Sequence, residues 1–173
     1  MRAVFSKSLF FSKLVAVGAA SAVAFAGSPA IGIITATGHF MVERSEVWGN
    51  STLFDGATVE TGSASSELAL RNGVKMQLGA ASRARVWENH LTIEKGVGQM
   101  TGPASYEVDA GGLRIHSAGE SGRLRIGLSN RVEVTALNGS ARVSSSSGVV
   151  LAPIPAGRSM SFAMQAAATC RGS

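Results

Sequence analysis

Between residues 66 and 79 the chain alternates apolar and polar side chains twice over, and this constrains its fold more than any other feature. In Glu67-Leu68-Ala69-Leu70-Arg71 the larger apolar residues fall on every second position, and Val74-Lys75-Met76-Gln77-Leu78 repeats the pattern. A period of two puts those residues on one face of a strand. Asn72-Gly73 stands between the two runs, and both residues tolerate positive φ. The spacing predicts a hairpin over residues 66–79 closed by a two-residue type I′ turn.

The same rhythm continues downstream, while helical periodicity is hard to find beyond residue 30. Ala84/Val86, Leu91/Ile93, Leu113/Ile115, Leu124/Ile126/Leu128, Val132/Val134 and Met160/Phe162 each mark one inward face. Arg83/Arg85, Thr92/Glu94, Arg114, Arg123/Arg125 and Glu133 take the opposite parity, where charge stays in water. Asn89, Gly111-Gly112, Asn130, Asn138-Gly139 and Gly157 read as turns, and Gly96-Val97-Gly98 as a turn after a Leu91–Glu94 strand. The expectation is an all-β domain of antiparallel hairpins, arranged as a sandwich, a roll or a β-solenoid-like stack. Ser144–Gly148 reads as a flexible connection, and residues 163–173 as a loose tail.

The N-terminus has a different grammar. Arg2, Lys7 and Lys13 precede an uncharged run of 13 residues, Leu14 to Ala26. Ala24 and Ala26 supply the small residues that a signal peptidase needs, with Gly27 as the first residue after the cut. Residues 1–26 are therefore expected to be a signal peptide. The competing reading is an uncleaved N-terminal anchor, because no charge occurs between Lys13 and Glu43. Either way the remaining chain is expected outside the cytoplasm, periplasmic or secreted, or held at the inner membrane, with a membrane contact only if the segment is retained. The leader also explains the charge. Sixteen basic residues stand against 11 acidic ones, but without the three in the leader the balance is 13 against 11. The inference from a basic pI to nucleic acid is correspondingly weak.

The residues that carry chemistry offer no strong constellation. No Gly-x-Ser-x-Gly elbow accompanies the serines, and His39, His90 and His116 have no partner carboxylate at a telling spacing. Asp55, Glu60 and Glu67 fall in one stretch, but Asp55-Gly56 reads as a turn and the two glutamates as solvent-facing positions. Gly96-Val97-Gly98 lacks the third glycine of a phosphate loop. One cysteine, Cys170, excludes an internal disulfide framework and a multi-cysteine zinc site. No catalytic residue, metal or cofactor is expected. Arg83, Arg85 and Trp87 on one strand face, together with Arg123 and Arg125, form a candidate basic surface. An anionic glycan or lipid headgroup suits it better than nucleic acid.

The stretch from Asp55 to Ser82 resembles the FecR domain family of bacterial envelope proteins. Its pattern appears here as Asp55-Gly56, Val59-Glu60-Thr61-Gly62, Ser65-Ser66, Leu68-Ala69-Leu70, Asn72-Gly73 and Val74–Leu78. Downstream, Leu91–Gly96, Leu137–Val143 and Gly157–Met160 resemble its later strands, so that the likeness covers residues 31–162. The resemblance implies an extracytoplasmic all-β domain without catalytic residues, working by contact with an envelope protein in signalling or envelope structure. Two departures bear on this. Gly119-Glu120-Ser121-Gly122 stands where a Gly-Thr-x-Phe step is usual, and only 13 residues precede the apolar segment. Both point to a stand-alone exported member and away from direct anti-sigma activity. A binding module for a polysaccharide or another anionic polymer is the alternative.

Overall fold

The computed structural model describes residues 28–119 and 121–164. Among these residues the chain is all-β, with fourteen strands and no helix. The first two, β1 (Ala30–Val42) and β2 (Ser45–Phe54), form a long hairpin. β3 (Ala57–Thr61), β4 (Ser66–Leu70), β5 (Lys75–Leu78) and β6 (Arg83–Val86) follow, then a second long strand, β7 (His90–Gly102). β8 (Glu107–Ala110), β9 (Leu113–Ser117), β10 (Gly122–Leu128) and β11 (Arg131–Asn138) come next. The order closes with β12 (Ala141–Ser145), β13 (Val150–Ile154) and β14 (Ser159–Ala163).

Register explains how so many short strands make one body. β3 and β4 lie end to end along β1, pairing with Phe40–Val42 and Gly32–Ala36 respectively. β6 and β5 repeat that arrangement one position further out, and β7 spans both. The pairings β1–β3–β6–β7–β5–β4 therefore close into a ring. Past β7 the halves separate, one continuing through β8, β9, β12 and β13, the other through β10, β11 and β14. This is one sheet bent into two leaves, as when strands switch sheets at bulges. A single apolar cluster draws residues from both leaves, including Phe40, Val59, Leu78, Ile93, Leu124 and Val143.

The bend is built from a few residues. The Thr61 hydroxyl donates to the Gly79 carbonyl at 2.6 Å and accepts from the Ser82 amide at 2.9 Å. The Ser82 hydroxyl in turn accepts from the Val97 amide at 3.0 Å. Just before Gly96, at φ +91°, β7 carries a bulge whose extra residue is Glu94, since Arg83 pairs with Lys95 and Ala84 with Ile93. Its effect is a change of parity: Leu91 and Ile93 are buried before it, and Gly98, Met100 and Gly102 after it. One inserted residue keeps the apolar side inward on both leaves.

The alternating residues expected inward are buried, from Ala84 and Val86 through Val132 and Val134. Met160 shares a face with Val134 but stands on an edge strand and stays 39% exposed. Four local expectations are corrected. Gly96–Gly98 lies within a continuous strand, because β10 pairs with all three residues and β5 with Gly98. The 66–79 hairpin does not close on a two-residue type I′ turn. Only Gly73 has positive φ, and the Asn72 side chain accepts from the Val74 amide instead. Ser144 and Ser145 are buried residues of β12, and the turn that follows is tight, with the Ser145 hydroxyl accepting from the Val149 amide. Finally, β7 and β8 pair in parallel, the one exception to an antiparallel ladder. Residues 1–26, with Ala24 and Ala26, Gly27, and Cys170 lie outside the described residues.

Candidate functional site: a polar groove and an open edge

Arg83, Arg85, Arg123 and Arg125 all point outward, but on different leaves. Arg83 and Arg85 belong to β6, where Glu94 of β7 meets them at 3.0 and 3.7 Å, and Glu60 stands 4.0 Å from Arg83. Arg85 also lies 5.8 Å from the Trp87 ring, and Trp87 stacks on His90 at 4.2 Å. These exposed pairs add little stability, about 1 kcal/mol at most, yet they cancel the surplus charge that the sequence suggests. Further along the same leaf Arg114 faces Glu107 at 3.5 Å and Asp109 at 4.0 Å. Burial pushes the Asp109 carboxyl above the ordinary range, and neighbouring Glu107 adds to the effect. Arg83, Arg85 and Arg114 of this leaf are each paired with a carboxylate.

The other leaf presents cations that have no carboxylate partner among the described residues. Its outer side holds an open groove of about 680 Å³ that crosses β1, β4, β5, β7 and β10. Register sets its contents in rows. Lys75 pairs with Thr101, and Thr101 with Arg123. In the adjacent row Glu67 pairs with Gln77, Gln77 with Gln99, and Gln99 with Arg125. Among the described residues no carboxylate comes within ion-pair distance of Lys75, Arg123 or Arg125, whereas Arg83, Arg85 and Arg114 all have one. Sequence reasoning found Arg123 and Arg125 but missed Lys75, Gln77 and Gln99, since only the ladder brings β5, β7 and β10 together.

A second surface is the edge strand β2, which pairs with β1 alone. Trp48 is 69% exposed there, beside His39 at 5.6 Å, and Phe54 is 48% exposed. The hairpin that presents this edge turns at Glu43 and Arg44, both with positive φ. The strained pair is held by Thr58, whose amide donates to the Glu43 carboxylate.

The other candidate residues are dispersed. Asp55 sits on a turn, accepting from the Glu88 amide at 2.8 Å, while Glu60 and Glu67 face outward on different leaves. Tyr106 is buried, with its hydroxyl donating to the Trp87 or His90 carbonyl; burial raises its pKa, with Asp55 adding to the rise. Among the described residues no cluster of three His, Cys, Asp or Glu is placed to hold a metal ion. No family model and no curated protein matches the chain.

Proposed function

We propose that the chain is a non-enzymatic, FecR-like domain exported to the cell envelope, where it works by protein–protein contact. The observation that carries this reading is the open edge of β2, ten residues long with Trp48 standing out from it. An unpaired edge offers backbone donors and acceptors to an added strand, and an exposed aromatic beside it supplies an anchor. The residues of the FecR-like motif support the same reading. Val59 is buried, Thr61 and Gly62 hold the bend, and Asp55-Gly56 makes a turn. They are spent on the fold, which leaves the edges for contact.

A photocrosslinking side chain at position 48, installed in the native host, tests this. One discrete envelope protein is expected to be captured there, and not from the exposed position 71 on another turn. Equal capture from both positions would overturn the assignment of β2. A second reading, binding of an anionic polymer, is favoured by Lys75, Arg123 and Arg125 on the opposite leaf from the paired arginines.

A further inference from the structure

We propose that the groove across β1, β4, β5, β7 and β10 binds a linear acidic polysaccharide, a chain of uronic-acid sugars lying across the strands. This deepens the polymer-binding reading and rests on it. Three features of the groove select the ligand.

The first is the spacing of charge. Lys75 and Arg123 occupy one row with Thr101 between them, so two inter-strand steps separate them. Neighbouring strands lie about 4.8 Å apart, which puts the two backbones about 10 Å from each other. That separation suits carboxylates on alternate sugars of an extended chain. Arg125 lies two residues along β10 from Arg123, on the same face, and lines an adjoining hollow with Glu133 beside the groove.

The second is the floor between the charges. Gln77, Gln99, Thr101, Ser121 and Asn138 line it with amides and hydroxyls. Each amide offers two donors and an acceptor, and each hydroxyl offers both roles, which matches a ligand rich in hydroxyl groups. Glu67 is the carboxylate in the lining, an acceptor for sugar hydroxyls.

The third is what the groove lacks among its lining residues. It has no aromatic ring on which bases would stack. Its strands are paired on both sides within the leaf, so they have no backbone groups for strand addition by an acidic peptide. A polyhydroxylated polyanion satisfies the floor and the charges together.

The test uses the purified protein in affinity electrophoresis through gels containing polygalacturonate, with neutral dextran, dextran sulfate and double-stranded DNA as comparisons. Retardation by polygalacturonate is expected, with none by dextran. Arg123→Glu/Arg125→Glu should weaken retention at least tenfold, whereas Arg83→Glu/Arg85→Glu, which changes the net charge equally, should leave it within twofold. Gln77→Ala/Gln99→Ala, which removes no charge, should weaken it severalfold. Should the arginine double variant fail to fold, the glutamine variant decides. Equal losses for the two charge reversals, or no loss from the glutamine variant, would overturn the site. Equal retention by dextran sulfate, DNA and polygalacturonate would leave a polyanion binder but overturn the acidic-sugar assignment. No retention by any polyanion would overturn the polymer reading itself.

Discussion

Alanine at Gly96 is expected to lower the thermal midpoint of the domain by about 10 °C. Two costs combine. The residue has φ +91°, a region that a side chain enters at about 1–2 kcal/mol. A Cβ there would also stand 2.6 Å from the Ser82 Cα, which is backbone and cannot swing aside. Forcing β6 and β7 apart at the bend adds about 1–3 kcal/mol, as overpacking does elsewhere. The total is a large share of the about 5–15 kcal/mol that holds a domain together. Gly73→Ala is the internal control. Its φ is +87°, but a Cβ there meets nothing within 4 Å, so it incurs the backbone cost alone. Equal midpoints for the two variants would show that the close approach of Ser82 and Gly96 has no energetic weight.

The second large effect belongs to Thr61, which is 3% exposed. Valine has almost the same shape, but it strips the Ser82 amide and the Gly79 carbonyl of their hydroxyl partner. Each orphaned buried group costs about 1–3 kcal/mol, so Thr61→Val should destabilise by about 3 kcal/mol in urea unfolding. Thr61→Ser keeps the hydroxyl and loses one methyl, worth about 0.8 kcal/mol. A valine variant more stable than the serine variant would contradict the account of the bend. The Thr-Gly step of the motif therefore acts through the corner that turns one leaf into the other.

The strands that sequence reasoning identified share a property: each alternates cleanly and ends at a turn residue. Leu68, Leu70, Met76 and Leu78 were legible for that reason, and all are buried. β1 and β2 were not. Ile31 and Ile34 are both buried across a parity break, and their hairpin turns on Glu43-Arg44, where turn chemistry favours Asn-Gly. Gly96 misled because a glycine in a strand and a glycine in a turn look alike until the partner strands are known. The groove was legible only at one end. Arg123 and Arg125 lie two positions apart in sequence, but Lys75 joins Arg123 through the register of β5, β7 and β10, which follows from long-range pairing. The same pairing shows why Arg83 and Arg85 are poor candidates, since Glu94 and Glu60 reach them only through the ladder.

The functional account depends first on where the domain works, because an edge for an envelope partner and a groove for an acidic glycan both require export. The most direct measurement is the intact mass of the protein recovered from each compartment of its native host. The account predicts an extracytoplasmic chain beginning at Gly27, 147 residues long. A cytosolic chain that retains residues 1–26 would contradict it.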